Sequence, residues 1–354
     1  MSTDRPRILV IRRRYLGDIV LLGIFFRSLR QHWPEAIIHV LVEEQYAEIL
    51  ALNPDVNGTQ KLPKKTTAFG RWFSLVLALR SARYTHVLDL DNTEKTAWLA
   101  RVTGAPLRAA LHLSAQRVRL PRFYTHFEAV ESEFRRTNHI TSYYNRLLRT
   151  IGVPEDKSPL QLQPSPADRL WAHNLPAVTT LPTDRPKLLL HPGSRSAFRV
   201  WPAENYAAVC DQIQRDGLAS VTLIAGPAEQ DVVNAIRARM QTPVTIINEQ
   251  IPIARLAALF QCFDLLLCHD SGPMHLATAV GLPVVALFSS QNINEWRPLG
   301  AGNVALQPPL PCVNCVAPGV CKPENSYQNY CVRNITTDRV LAAIRERLTR
   351  TSHA

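Results

Sequence analysis

The chain has 354 residues, of which 46% are hydrophobic and 19% charged, and this composition excludes wholesale disorder. Its length favours about two domains. The net charge is +11, and residues 1–170 carry +9 of it, so the first half is expected to meet an acidic partner.

No apolar run approaches the ~18 residues of a membrane span. The N-terminus, MSTDRPRILV, does not show the apolar stretch and small-residue cleavage site of a secretory signal. These features predict a cytoplasmic protein.

The first half alternates between strand and helix patterns. Buried strands are predicted at 7–11, 36–42 and 86–90, and helices near 19–29, 45–51 and 71–81. Prolines then punctuate residues 150–186, which indicates an interdomain connection with a short helix at 166–173. Alternation of this kind predicts a parallel sheet with helices on both faces.

The second half repeats the alternation more regularly. Strands are predicted at 187–191, 220–225, 244–247, 264–268 and 283–288, and helices at 203–215, 228–240, 253–261, 271–280 and 337–349. The fold class is therefore α/β, with two doubly wound, Rossmann-like domains facing a cleft. The predicted divisions are an N-terminal domain 1–165, a linker 166–186, a C-terminal domain 187–335 and a final helical segment 336–354.

Ligands of such sheets bind at the carboxyl ends of the strands, and four motifs follow predicted strands. The first is Arg12-Arg13-Arg14-Tyr15-Leu16-Gly17-Asp18, which puts a carboxylate at a helix N-terminus. Asp18 is a candidate catalytic residue, although a helix N-cap has the same pattern. The loop lacks the glycine fingerprint of dinucleotide-binding folds, which disfavours an NAD-dependent enzyme.

The second and third motifs supply charge for a phosphorylated ligand. Ser194, Arg195 and Arg199 lie in the HPGS…RVWP segment, where arginine forks match phosphate oxygens. Trp201 is expected to pack. Glu229, in the GPAE turn, could accept hydrogen bonds from ribose hydroxyls, although a carboxylate in a first helical turn also suits the helix dipole.

The fourth motif is the sharpest, because a helix that starts with a glycine after a buried strand is an anion site. Its candidates are Asp270, Ser271, Gly272 and His275, with His275 one turn into the helix. A well-capped helix with a packed histidine is the alternative interpretation.

Seven cysteines fall into two groups. Cys210, Cys262 and Cys268 lie in apolar patterns and are interpreted as buried. The other four form a Cys-x2-Cys-x5-Cys-x9-Cys segment at 312–331. In a reducing compartment this spacing favours a structural zinc or iron site over disulfides, and free thiols are the alternative. The predicted ligands are Cys312, Cys315, Cys321 and Cys331.

The opening RILVIRRRYLGDIVLL, HPGS…RVWPAENYAAV, the GPAE turn and DSGPMHLATAVGLPVVALF together resemble glycosyltransferase family 9, over residues 7 to about 347. Members of this family are the ADP-heptose-dependent heptosyltransferases of the Gram-negative lipopolysaccharide inner core. The resemblance implies a GT-B fold and an inverting transfer that needs no cofactor. It also implies that the last helix packs back on the first domain.

The resemblance assigns roles to the candidates. Asp18 becomes the catalytic base, and Arg199 stands where the family has a phosphate-binding lysine. The donor is ADP-heptose, and the acceptor is an acidic lipid A–Kdo core reached through peripheral contact with the inner membrane. Arg12, Arg13 and Arg14 are expected to bind the acceptor's acidic groups. The residues expected to bind the donor are Ser194, Arg195, Arg199, Glu229, Asp270, Ser271, Gly272 and His275.

Two other functions remain open from the sequence. One is a heptosyltransferase that acts on a protein acceptor. The other is a non-catalytic nucleotide- or nucleic-acid-binding module with a metal knuckle. Nucleic acid is not expected, because the basic residues are scattered and come without an aromatic stacking platform.

Overall fold

The computed structural model describes residues 5–63, 69–194, 199–227, 229–308 and 331–351. The chain forms two compact units, Met1–Gln163 and Pro164–Ala354. Each contains one parallel sheet with its own buried apolar core.

The described residues of unit 1 form a sheet of six parallel strands in the order β3-β2-β1-β4-β5-β6. The central strand is fully buried beyond its first residue, as expected for an apolar strand covered on both faces. The strands are β1 Arg7–Ile11, β2 Ile37–Glu43, β3 Gly58–Leu62, β4 His86–Asp89, β5 Leu107–Leu113 and β6 His126–Val130.

The helix predicted at 19–29 forms as two helices that meet at Leu22. Together the helices of unit 1 cover both faces of its sheet. They are α1 Leu16–Leu21, α2 Gly23–His32, α3 Ala47–Leu50, α4 Phe69–Ser81, α5 Glu94–Val102, α6 Ser132–Thr137 and α7 Ile140–Asn145.

Unit 2 repeats the arrangement, with the order β12-β11-β10-β7-β8-β9. Counted from the first strand of each unit, both sheets have the Rossmann order. The strands are β7 Lys187–His191, β8 Ser220–Ile224, β9 Thr245–Ile247, β10 Leu265–His269, β11 Val284–Leu287 and β12 Val304–Leu306. The helices are α8 Pro166–His173, α9 Pro176–Thr179, α10 Ala203–Arg215, α11 Gln230–Arg237, α12 Ile253–Phe260, α13 Gly272–Ala279, α14 Ile293–Trp296 and α15 Thr337–Thr351.

The short helix predicted at 166–173 forms as α8, and α9 follows it. Within the predicted linker 166–186, α8 packs on α12 of unit 2. There the Arg255 guanidinium lies 5.0 Å from the centre of the Trp171 ring. The last helix, predicted to pack on the first domain, places Val340, Ile344 and Leu348 in the apolar core of unit 2 instead. The reason is its apolar stripe, which packs against α10 of the same unit.

Candidate active site

In unit 1 the strand order reverses between β1 and β4, and the loops after these two strands meet. Asp18 lies in α1, directly after the β1 loop, and it is buried. Its Oδ1 accepts a hydrogen bond from Arg12 Nη2 at 2.6 Å and another from the Tyr144 hydroxyl. Its Oδ2 accepts from the backbone N–H of Tyr15 at 3.1 Å. The carboxylate is therefore held at both oxygens, with Oδ1 the more heavily engaged.

Arg12 joins Asp18 to a second carboxylate, that of Asp91. Its Nη1 lies 3.0 Å from Asp91 Oδ1, and its guanidinium stacks 5.2 Å from the centre of the Tyr144 ring. Burial works to lower the pKa of Arg12, but the charges of Asp18 and Asp91 raise it above its ordinary value. Burial also raises the pKa of Tyr144, so its hydroxyl keeps the proton that it donates.

The sequence patterns did not indicate Asp91 or Tyr144. Besides its contact with Arg12, Asp91 accepts two hydrogen bonds from Arg13, one from the backbone N–H at 3.1 Å and one from Nε at 2.8 Å. The available signal was its position directly after a predicted strand. Nothing local to Tyr144 marks it, because it lies 126 residues from the carboxylate it contacts.

Asp89, the last residue of β4, fixes the loop that carries Asp91. Its carboxylate accepts from the backbone N–H groups of Asp91 at 2.9 Å and Asn92 at 3.2 Å. The Tyr124 hydroxyl donates to its other oxygen at 2.5 Å. Complete burial raises the pKa of Asp89 to about 6, and the nearby Asp91 adds to that effect.

The three arginines of the β1 loop have different surroundings. Arg12 and Arg13 are both paired with Asp91 and are only 18% and 16% exposed, whereas Arg14 is 47% exposed. Glu43 lies 4.0 Å from Arg13 and 3.6 Å from Arg14. Two cavities adjoin this loop. One, of about 300 Å³, is lined by Arg13, Arg14, Glu43, Glu44, Gln45, Leu62, Pro63 and Lys95. The other, of about 840 Å³, is lined by Arg13, Asn92, Thr93, Glu94, Lys95, Gln116, Arg117 and Arg119.

In unit 2 the predicted donor residues follow β7, β8 and β10, so their loops share the carboxyl edge of the sheet. Glu229 lies between two of these loops. A Cβ added at Gly193 would stand 2.5 Å from Glu229 Cγ, and one at Gly226 would stand 2.7 Å from Glu229 Oε2. Both positions therefore need glycine while this carboxylate stays in place. Burial lowers the pKa of the adjacent His191, and the charge of Glu229 opposes that shift.

Arg199 connects the loops that follow β7, β10 and β11. Its Nη1 lies 4.0 Å from Asp270 Oδ2. With the amide oxygen of Gln291 assigned toward the guanidinium, that oxygen accepts from Arg199 Nη1 at 2.9 Å and also from Nη2. Burial raises the pKa of Asp270 to about 6, and Arg199 opposes the shift. Gln291 is a further site candidate that the sequence motifs did not indicate.

The start of α13 gathers buried hydroxyls. Ser271 is its N-cap residue and Gly272 its first residue. His275 is buried one turn later, with its ring centre 6.4 Å from that of Trp296. Within the described part of the chain, four buried serine hydroxyls at this edge have no hydrogen-bond partner: Ser194, Ser271, Ser289 and Ser290. A hydroxyl buried without a partner costs about 1–3 kcal/mol, which a ligand oxygen would recover.

A buried histidine, His269, holds the segment that follows the β7 loop. His269 Nε2 accepts hydrogen bonds from the backbone N–H of Trp201 at 3.1 Å and from the Tyr206 hydroxyl at 2.7 Å. Burial lowers the pKa of His269 to about 3, so the ring is neutral. Trp201 is fully buried and donates to the Ile335 carbonyl at 3.0 Å, which confirms that it packs.

The cysteines divide as their sequence contexts suggested. Cys210, Cys262 and Cys268 are free and buried, as predicted. Cys312, Cys315 and Cys321 lie outside the described residues, as does Arg195, and Cys331 begins the short 3-10 helix Cys331–Asn334. Among the residues described, three or more His, Cys, Asp or Glu side chains nowhere cluster in a way that could hold a metal ion. None of the described helices combines the length and the apolarity that crossing a membrane requires.

Three similar proteins set these geometries in context. Lipopolysaccharide heptosyltransferase 3 of Escherichia coli is 26% identical over 293 residues, which cover 80% of this chain and 84% of that protein. The crystal structure of a family 9 glycosyl transferase from Veillonella parvula superimposes with a TM-score of 0.84 at 24% identity and covers 99% of both chains. The structure of E. coli ADP-heptose lipopolysaccharide heptosyltransferase II superimposes with a TM-score of 0.77 at 23% identity and covers 98% of this chain and 100% of that one.

The structural likenesses confirm the predicted GT-B type of fold, with two Rossmann-like domains. The family model of glycosyltransferase family 9 (heptosyltransferase) matches residues 72–322, which include every donor-side motif. This match covers well over half of the chain, and the fold and the sequence relatives agree with it. The chain belongs to glycosyltransferase family 9.

Proposed function

We propose that this glycosyltransferase moves heptose from ADP-heptose to the inner core of lipopolysaccharide, with inversion at the anomeric carbon. The observation that carries the proposal is the family match over residues 72–322. The 26% identity to a lipopolysaccharide heptosyltransferase over most of both chains supports the choice of acceptor. The reaction takes place in the cytoplasm, with the enzyme in peripheral contact with the inner membrane.

Asp18 is the proposed base. An acceptor hydroxyl attacks the anomeric carbon, its proton passes to Asp18, and the bond from that carbon to the ADP oxygen breaks. Oδ2 is the better proton acceptor of the two oxygens, because Arg12 and Tyr144 already donate to Oδ1. Arg13, which borders both cavities, and Arg14, which borders the smaller one, are proposed to bind the acidic groups of the acceptor, with Arg12 holding Asp18.

The donor residues are proposed to stabilise the leaving ADP. The negative charge that develops on its phosphate needs fixed donors and positive charge. Ser271, Gly272 and the start of α13 would supply N–H and hydroxyl donors, and Arg199 and His275 would supply charge and a ring N–H. The remaining roles are those that the sequence motifs predicted. Ser194 and Arg195 would bind the phosphates, Glu229 would accept hydrogen bonds from the ribose hydroxyls, and Asp270 would pair with Arg199.

The four cysteines of the 312–331 segment are proposed to hold one structural zinc or iron ion that takes no part in the transfer. Four thiolates suit either metal, and the support is their spacing in the sequence. Elemental analysis of untagged protein should find about one equivalent of metal. Folded, active protein with less than a tenth of an equivalent would contradict this assignment.

Purified protein with a panel of donors tests the proposed reaction. ADP-heptose, ADP-glucose and UDP-glucose would each be incubated with extracted inner-core lipid or with a polypeptide, and release of the nucleoside diphosphate measured. We expect release only from ADP-heptose in the presence of the lipid. Release that requires the polypeptide, or a preference for UDP-glucose, would contradict the proposal.

The donor residues have a separate test in ADP binding measured by calorimetry. His275→Ala and Arg199→Ala should each weaken the binding of ADP by about 1–3 kcal/mol, the range expected for a lost charge-assisted hydrogen bond. Arg239→Ala is the control, because this exposed arginine bonds only the Ala235 carbonyl among the described contacts. Equal ADP affinity in all four proteins would remove the donor assignment.

A further inference from the structure

One face of α4 exposes large apolar side chains. Phe69, Phe73 and Leu77 are 83%, 55% and 52% exposed. Spaced four residues apart, they form a single stripe along the helix. The opposite face is anchored in unit 1 by the buried Leu75 and Leu79. The stripe is therefore held rigidly on a folded helix, and monomeric proteins seldom expose such a set without a use for it.

The neighbouring helix extends this apolar surface. Trp98 of α5 is 47% exposed, and α5 packs directly against α4. The two helices are tied by Lys95, whose Nζ lies 4.2 Å from the centre of the Trp72 ring. Aromatic side chains of this kind favour the boundary between lipid head groups and acyl chains. We call the set Phe69, Phe73, Leu77 and Trp98 the α4–α5 surface.

Positive charge concentrates in the same part of the chain. Residues 61–122 contain 12 Lys and Arg but only three Asp and Glu, a net charge of +9. Two of those three acidic residues, Asp89 and Asp91, are engaged inside unit 1. The helix α4 carries Arg71 and Arg80 and no acidic residue, with Arg71 paired to Glu44 at 2.8 Å. The third acidic residue, Glu94, is exposed in the first turn of α5. An exposed apolar stripe within a stretch of chain that carries this net positive charge fits an anionic lipid surface, and the same charge would repel a second copy of this chain.

From these observations we infer that the α4–α5 surface docks the protein on an anionic lipid bilayer. The inference rests on the proposed function, because it is a lipid-linked acceptor that would place the enzyme at a membrane. The position in the fold suits that acceptor. Leu62 and Pro63, shortly before α4, and Lys95, in the first turn of α5, line the cavity that Arg13 and Arg14 border. A docked α4–α5 surface would bring this cavity close to the lipid head groups.

Sedimentation with vesicles tests the inference without any turnover. The wild type should bind vesicles of phosphatidylcholine with 30% phosphatidylglycerol, and bind pure phosphatidylcholine at least tenfold more weakly. The triple variant Phe69→Gln, Phe73→Gln, Leu77→Gln should need at least tenfold more anionic lipid for half-saturation. Leu170→Gln is the matched control, since Leu170 is 63% exposed but lies on α8 of unit 2. It should bind like the wild type.

Two further measurements separate the possible failures. With a short, delipidated core oligosaccharide as acceptor, the triple variant should keep turnover within twofold of the wild type, which shows that it is folded. Vesicle binding that is unchanged in the triple variant would overturn the inference, as would a wild-type dimer that the triple variant converts to monomer. A wild type that binds vesicles through this surface but does not use ADP-heptose would instead overturn the proposed function.

Discussion

At the scale of single residues, the geometry around Asp18 ranks its two oxygens. Arg12 and Tyr144 both donate to Oδ1, so Oδ2, which accepts from the Tyr15 N–H, is the oxygen better able to take a proton. Tyr144 is thus a positioning residue: it touches the base, and nothing assigns it to the substrate. Its effect should appear in turnover and not in donor binding.

Tyr144→Phe removes that one hydrogen bond and keeps the ring on which Arg12 stacks. A lost hydrogen bond to a charged group is worth about 1.5–3 kcal/mol, so kcat should fall by roughly 10- to 100-fold. ADP affinity and the KM for ADP-heptose should stay within twofold. The control is Tyr143→Phe, a change on the adjacent residue of α7. Equal losses in the two variants, or a loss confined to KM, would show that Tyr144 does not position Asp18.

A second residue-scale prediction concerns Asp89, whose pKa burial raises from 3.8 to about 6. The folded state therefore binds more protons than the unfolded state between these pH values. The stability contributed by the neutral carboxyl is complete below pH 4 and is lost as pH rises through 6. Asp89→Asn has no such titration. Its stability relative to the wild type should increase by roughly 2.5 kcal/mol between pH 4 and pH 7.5.

Urea unfolding of both proteins at the two pH values measures this difference. Any constant effect of the amide cancels in the comparison, because it is the same at both pH values. A difference between the two proteins that does not change with pH would mean that Asp89 is ionised throughout the range.

At the level of elements, the loops that follow β7 and β8 in unit 2 both pack against Glu229, at Gly193 and Gly226. Gly193→Ala would put a Cβ 2.5 Å from Glu229 Cγ and 2.8 Å from His191 Cε1. The carboxylate must move, and a displaced Glu229 can no longer meet a ribose hydroxyl from the same position. ADP affinity should fall by about 1–2 kcal/mol, the value of one or two lost hydrogen bonds.

The matched control for this change is Gly302→Ala. A Cβ there meets only Pro283 at 3.9 Å, which is ordinary van der Waals contact. If calorimetry gave Gly193→Ala the same ADP affinity as the control, the assignment of Glu229 to the donor would be wrong.

The buried central strands could be predicted from sequence, because continuous apolar runs mark a parallel sheet covered on both faces. The edge strands β3, β6 and β12 were not predicted, whereas the edge strand β9 was, at 244–247. β3 is GTQKL and β6 is HFEAV, and most of their residues are partly or fully exposed, so they show no apolar run. β5, LRAALHL, is rich in Ala and Leu and so has the composition of a helix.

The site shows the same division. Asp18, Arg199 and Asp270 stand in motifs directly after strands, where local pattern suffices. Asp91 and Tyr144 come to Asp18 only through sheet order and helix packing, across 73 and 126 residues, and single-sequence patterns carry no such pairing. Whether each motif residue has its predicted role stays a prediction that the variants above test.

At the scale of the whole molecule, the chain uses one architecture twice, with unlike chemistry at the two strand edges. Both sheets have the Rossmann order, so both reverse between their first and fourth strands. In unit 1 the loops there hold a buried carboxylate among arginines, and in unit 2 they hold buried hydroxyls, an arginine and a helix start. The charge is also unevenly distributed along the chain. Residues 61–122 carry a net charge of +9, and the rest of residues 1–170 have equal numbers of basic and acidic residues.

Asp18 as the base of a family 9 transfer, with the donor held by unit 2, can be tested by a single substitution. Turnover of Asp18→Asn would be measured at saturating ADP-heptose and acceptor, with ADP affinity measured on the same sample. The amide oxygen can still accept hydrogen bonds from Arg12 and Tyr144, but the amide NH2 then faces the Tyr15 N–H, so circular dichroism is recorded to verify the fold. Loss of a general base predicts a fall in kcat of roughly 100-fold or more, with ADP affinity within twofold of the wild type. A variant that kept more than about a third of wild-type turnover, a fraction far above what general-base loss allows, would contradict the claim.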